Sequence, residues 1–161
     1  MGKVVKMQFG KIKDLREDHD LKQHQVAKFL NVKRTTYAMW ELGDVNFPIE
    51  KLIKLAQLFD TNIEYMLNLT SDKSKVIYEK NVDIEFIGSQ LRRFRLKLGK
   101  TQAEFAKTLE IRQSSYSYYE DGKTRIPTDK LILLSKAYHI SLNSICGGKR
   151  KVNLTDITTK L

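Results

Sequence analysis

Gln113, Ser114, Ser117 and Tyr118 lie three and four residues apart, a spacing that gathers them on one face of a helix. Arg34, Thr35, Ala38 and Met39 repeat the pattern 79 residues earlier. Such faces offer hydrogen bonding to flat edges rather than bond breaking. A Gln amide sets a donor beside an acceptor and suits adenine, and an Arg guanidinium sets two donors side by side and suits guanine. Ala38 and the Thr35 methyl suit the methyl of thymine. Arg112 immediately precedes the second face, and Lys123 and Arg125 follow it, placed for phosphate contacts that position without reading sequence. No Ser/His/Asp set, paired acidic motif or glycine-rich phosphate loop competes with this chemistry. His19, His24 and His139 have no companions at metal-ligand spacing. No enzyme activity, metal or cofactor is expected.

The elements that hold these faces come in duplicate. Residues 12–67 align on 91–146 without a gap, with thirteen identities among 56 positions, including Gly43/Gly122 and Pro48/Pro127. A match that keeps Gly and Pro in step preserves turns as well as core, so both copies take one fold. Two copies of this length are small domains rather than turns of a solenoid.

Each copy has helical periodicity and almost no strand alternation. Ile87, Leu91, Phe94 and Leu98 mark a first helix. Thr101 and Glu104 form a capping box that starts a short second one. Asn31 or Glu110 sits at the following bend, which asks for left-handed backbone that Asn adopts more readily than Glu. A third helix turns Tyr37 and Trp40, or Tyr116 and Tyr119, inward and stops at Gly43 or Gly122. A fourth and a short fifth complete an all-α, five-helix unit. Helix-turn-helix segments fall at about 22–43 and 101–122. The expected organisation is an N-terminal domain over 1–69, a linker over 70–83, a C-terminal domain over 84–146 and a basic tail over 147–161. Thr70 to Lys75 is polar and flexible in character, whereas Val76, Ile77 and Tyr78, with Val82, Ile84 and Phe86, are apolar enough to pack, so a partly ordered connector that limits the relative motion of the domains is expected.

Composition limits the partners. The chain has 161 residues, 41% hydrophobic and 30% charged, with one cysteine, Cys146, so no internal disulfide forms. No apolar run approaches the roughly 20 residues of a membrane span. A cytoplasmic, nucleoid-associated protein is expected. Net charge is +10: residues 1–70 carry 11 basic and 9 acidic side chains, residues 71–86 carry 3 and 4, and residues 87–161 carry 15 and 6. The excess sits in the C-terminal half and suits an anionic partner.

The second copy's Thr101-Gln102-x-x-Phe105-Ala106-x-x-Leu109-x-Ile111 and Ser114-x-Tyr116-x-x-Tyr119-Glu120-x-Gly122-Lys123-x-x-x-Pro127 resemble the phage-repressor/Cro helix-turn-helix family, the xenobiotic-response-element (XRE) type. The first copy keeps Gln23, Val26, Ala27, Leu30, Val32, Thr35, Tyr37, Trp40, Glu41, Gly43 and Pro48. The resemblance implies lambda-repressor-like domains and a repressor-like, sequence-specific regulator of transcription that binds double-stranded DNA. It implies that Gln23 and Gln102 touch phosphate and brace the recognition helix. It also implies that Arg16 pairs with Glu41 and Arg95 with Glu120, both at 25-residue spacing. The first copy departs in Lys22, Asp44 and Asn46, which stand where the second has Thr101, Lys123 and Arg125.

Several arrangements stay open. A single chain with two recognition helices suits a bipartite operator, whereas a homodimer suits a pseudo-palindromic one. Val152, Leu154 and Ile157 of the tail leave a second chain open, and Lys149, Arg150 and Lys151 suit either a solvated tail or a phosphate-gripping arm. The alternative function is an antitoxin-like or adaptor module whose partner is a protein, suggested by the first copy's Met39 and Leu42.

Overall fold

The computed structural model describes residues 9–150. Its N-terminal half runs through α1 (Gly10–Asp18), α2 (Gln23–Phe29), α3 (Arg34–Leu42), α4 (Ile49–Leu58) and α5 (Ile63–Met66). A short strand β1 (Val76–Ile77) follows. The C-terminal half repeats the order as α6 (Ile84–Lys97), α7 (Gln102–Thr108), α8 (Gln113–Glu120), α9 (Thr128–Tyr138) and α10 (Leu142–Ile145), then ends in β2 (Lys149–Arg150). Among the described residues the fold is all-α apart from this one strand pair.

Local chemistry explains the starts and stops. Thr101 accepts from the Glu104 N–H and its own N–H donates to the Glu104 carboxylate, closing the capping box of α7. The first copy has Lys22 there, and only the Lys22 N–H to Gln25 bond remains. At the bend after the second helix, Asn31 and Glu110 both take left-handed backbone, φ 56° and 54°. Glu110 accepts a conformation it disfavours because the surrounding bonds fix it: the Ile111 N–H reaches the Ala106 carbonyl at 3.0 Å, as Val32 reaches Ala27. Gly43, φ 78°, caps α3, whereas α8 ends one residue earlier relative to Gly122.

Both halves contribute to one buried apolar cluster. Ile12, Val26, Leu30, Tyr37, Leu52, Leu55 and Ile63 come from the first, and Leu91, Phe105, Leu109, Tyr116, Leu131, Leu134 and Leu142 from the second. Ala27 and Ala106 are buried where the second and third helices meet, a place that rejects larger side chains. In the C-terminal half α6 presses against the end of α8. A Cβ added at Gly88 would run into the backbone carbonyls of Tyr119 and Glu120.

The connector, expected to be partly ordered, is held along its polar stretch as well as its apolar one. Thr70 to Lys75, polar and expected to be flexible, is pinned through its carbonyls. Asn62 donates to Asp72 and Ser74 at 2.9 and 2.8 Å, and Thr61 donates to Lys73 at 3.0 Å. Val76 and Tyr78 are buried. The start of the tail is structured as well: β2 pairs antiparallel with β1, Val76 opposite Arg150 and Ile77 opposite Lys149. Val152, Leu154 and Ile157 lie outside the described residues.

Candidate nucleic-acid interface

The third helix of each half is held from below by a charged cluster. Arg16 donates through Nε and Nη2 to both Glu41 oxygens at 2.9 Å, and through Nη1 to the Leu21 carbonyl at 2.7 Å. Arg95 makes the corresponding bonds to Glu120 at 2.6 and 3.0 Å and to the Lys100 carbonyl at 2.8 Å. All four charged side chains are buried. Burial works against the charged carboxylates, but the guanidiniums outweigh it and hold Glu41 and Glu120 below the usual carboxylate range. Burial, together with the neighbouring carboxylates, pushes the Tyr37 and Tyr116 phenols up.

Gln23 and Gln102 extend this cluster towards the surface. Gln102 donates to Glu120 at 2.9 Å, and Gln23 donates to Glu41 at 3.4 Å while its carbonyl accepts from Arg34 at 3.5 Å. The ion pair thus reaches the first residue of α3 through one amide. A second tie was invisible in sequence. Lys51 donates to the Leu30 carbonyl at 2.7 Å and Lys130 to the Leu109 carbonyl at 3.1 Å. Each ammonium caps the C-terminal end of the second helix, where it satisfies an orphan carbonyl and faces the negative end of the helix dipole. Both lysines are identities of the repeat, which was the only available signal.

The outward faces are open. Arg34, Thr35, Met39, Arg112, Gln113, Ser114, Tyr118 and Lys123 are exposed, and Gln23, Ala38, Gln102 and Ser117 are half-buried. Lys123 lies 5.5 Å over the Tyr118 ring, which gathers a cation and an aromatic at one edge of α8. Arg125 points elsewhere. Its Nε lies 3.0 Å from a Glu50 oxygen in the other half, so it is engaged by a carboxylate. Lys149 and Arg150, weighed as an arm, pair with Glu79 at 3.2 Å and Asp72 at 3.0 Å.

The two halves meet through reciprocal contacts. Glu64 and Asn143 hold the same position in their copies, and they bond to each other: Asn143 Nδ2 donates to Glu64 Oε2 at 3.0 Å. Around them, Asn143 donates to Asn62 at 3.3 Å, and the equivalent pair, Ser141 and Glu64, bonds at 2.8 Å. Further out, Arg125 with Glu50 is mirrored by Asn46 with Asp129, whose N–H donates to the Asn46 side chain at 3.1 Å. Thr128 donates to the Phe47 carbonyl at 2.5 Å, and the equivalent residues Ile49 and Ile126 line one crevice. Contacts that repeat when the copies are exchanged define a twofold-like, isologous interface. Tyr78 locks it, accepting from the Ile63 N–H at 2.9 Å and donating to Asn143 at 2.7 Å.

No three His, Cys, Asp or Glu side chains among the described residues are grouped to hold a metal ion, and no helix among them is long and apolar enough to cross a membrane.

Comparison with known proteins gives the same fold twice. The helix-turn-helix family pattern matches residues 12–66 and again 91–145. An uncharacterized HTH-type transcriptional regulator of Bacillus subtilis (strain 168), YobD, is 31% identical over 72 residues, 45% of this chain and 64% of its own. The cryptic phage CTXphi transcriptional repressor RstR of Vibrio cholerae is 37% identical over 71 residues, 44% of this chain and 61% of its own. The HTH-type transcriptional regulator ImmR of B. subtilis (strain 168) is 36% identical over 76 residues, 46% of this chain and 60% of its own. The chain therefore spans under two thirds of the length of these relatives. With more than half its length inside the two matched segments, the chain belongs to the helix-turn-helix family, of the XRE type.

Proposed function

We propose that this protein is a sequence-specific, double-stranded-DNA-binding regulator of transcription that carries both recognition helices of a repressor-like pair in one chain. The observation that carries the reading is the reciprocal interface between the halves, centred on Glu64 and Asn143. Proteins with this motif commonly dimerise so that two recognition helices meet successive major grooves, about 34–36 Å apart. Here the second subunit is covalent, and the joined pair gains from high effective concentration. The relatives' names as transcriptional regulators and a repressor support the same class.

On this reading α3 presents Arg34, Thr35, Ala38 and Met39, and α8 presents Gln113, Ser114, Ser117 and Tyr118, so the two half-sites differ. Arg112 and Lys123 grip phosphate, and Gln23 and Gln102 brace the helices and touch the backbone of the DNA. Selection from a random duplex library, followed by sedimentation of the complex, tests it. One chain on an asymmetric bipartite site is expected; two chains on a palindrome touched only by residues 87–146 would defeat the arrangement, and binding that does not weaken as salt rises would defeat the DNA reading.

A second reading is favoured by one feature of the first copy. Met39, Leu42 and Val45 are exposed, at 47%, 59% and 40%, where the second copy has Tyr118, Asp121 and Thr124. That edge suits a protein surface better than phosphate, as in an adaptor or antitoxin-like module.

A further inference from the structure

At a twofold axis each residue faces its own equivalent, so an isologous interface built from unlike copies can be read for what each copy would do with itself. The N-terminal half brings Asn46, Glu50 and Glu64 to the contact, and the C-terminal half brings Arg125, Asp129 and Asn143 at the same positions. Pairing two N-terminal faces would set Glu64 against Glu64, with neither carboxylate able to donate. It would also leave both Glu50 carboxylates opposite Asn46 instead of a guanidinium. Pairing two C-terminal faces would set Asn143 against Asn143, donor to acceptor, and would give Arg125 an aspartate on each side of the axis.

We propose that this interface is a two-sided code: the N-terminal face accepts the C-terminal face and rejects a second copy of itself, whereas the C-terminal face accepts either. The rejecting element is a pair of carboxylates at the axis, and the attractive element is the Arg125–Glu50 pair, so both parts of a specificity device are present. The surroundings make the axis position decisive. Asn143 is buried at 8% exposure, its carbonyl is committed to the Tyr78 hydroxyl, and Asn62 beside it is buried at 3%. A carboxylate at position 143 would face the half-buried Glu64 at a partly buried contact, and like charges set side by side there are costly. The consequence reaches beyond the DNA reading. Contact between separate chains through this surface uses C-terminal faces, or exchanges an N-terminal face for a C-terminal one, and never joins two N-terminal faces.

The test uses the full chain and reads association, so it stands or falls apart from DNA binding. In the first variant Arg125→Asn, Asp129→Glu and Asn143→Glu give both halves the N-terminal face. In the second, Asn46→Arg, Glu50→Asp and Glu64→Asn give both the C-terminal face. The third carries all six changes and exchanges the faces. Backbone hydrogen exchange at 62–66, 76–78 and 142–148 reports the interface, exchange in α2 and α7 reports the interior of each half, and sedimentation reports the number of chains. In the first variant, interface exchange should rise at least tenfold while the chain stays single; the second and third should stay closed as the wild type does. An unopened first variant, or a third that opens like the first, overturns the code. If the first also loses protection in α7, the third, which contains the same C-terminal changes, decides: restored protection supports the code and unrestored protection overturns it.

Discussion

The Arg125 guanidinium lies 3.0 Å from the Glu50 carboxylate, joining the loop behind α8 to the first turn of α4 in the other half. Arg125 follows the Gly122 turn where a phosphate-gripping residue is expected, so DNA and Glu50 bid for one cation. Glu50→Gln releases it. Affinity for duplex DNA of any sequence should rise and the dependence of log affinity on log salt should steepen, by roughly one counterion if Arg125 then meets a phosphate. Arg125→Ala should leave that slope unchanged if Glu50 holds the side chain in the complex. Titrations of both variants at several salt concentrations measure this, and an unaltered slope in Glu50→Gln would assign Arg125 to the interface alone.

Gln113 is the first residue of α8 and exposed. Replacing it by Ala should cost about 1–3 kcal/mol at its cognate base and relax preference there, with little effect on other positions. Replacing Lys123 should weaken all sequences about equally. Competition binding against single-base variants of a selected site distinguishes the two patterns. Uniform loss in Gln113→Ala would remove it from base reading.

Removing one partner of a buried, two-pronged ion pair leaves the other charge uncompensated. Glu120→Ala should therefore destabilise the C-terminal half by about 3–5 kcal/mol, measured by urea unfolding. The pH dependence has a definite sign. Glu41 and Glu120 are held below the usual range in the folded protein, so their contribution is complete above the ordinary carboxylate pKa of about 4.3. It is lost as pH falls from there through the depressed folded values. Wild-type stability should decline in that acid window, and Glu120→Gln should flatten the decline; an equally steep acid limb in the variant would contradict the assignment.

Tyr78→Phe removes one oxygen and strands two groups, the Ile63 N–H and the Asn143 carbonyl. A loss of about 1–3 kcal/mol is expected. Hydrogen exchange should rise first at Ile63 and across β1, and thermal unfolding should shift correspondingly. No change at Ile63 would mean that water replaces the phenol.

Much of the fold was legible because the chain states it twice. The capping box at Thr101, the inward Tyr37 and Tyr116, and the left-handed turns at Asn31 and Gly43 follow from residue type and spacing. Other features were hidden for identifiable reasons. Lys51 and Lys130 are repeat identities, but nothing local says that a lysine reaches back to a helix end 21 residues away. A two-residue strand has no periodicity to detect, so β1 and β2 were missed. The interface was hardest. Comparing repeats singles out positions that agree, whereas Asn46/Arg125, Glu50/Asp129 and Glu64/Asn143 differ because each must fit its opposite number.

On the proposed bipartite reading, the covalent pairing of the two halves would also shape a dose response. Subunits that meet from solution part on dilution, so below their dissociation constant occupancy of a shared site climbs with the square of protein concentration. Halves locked through Asn143 and Tyr78 cannot be diluted apart. A site bridged by both would fill with the first power of concentration, along a simple hyperbola. A regulator built this way answers its own abundance as a dimmer does, by degrees, where a dissociating pair would act as a threshold.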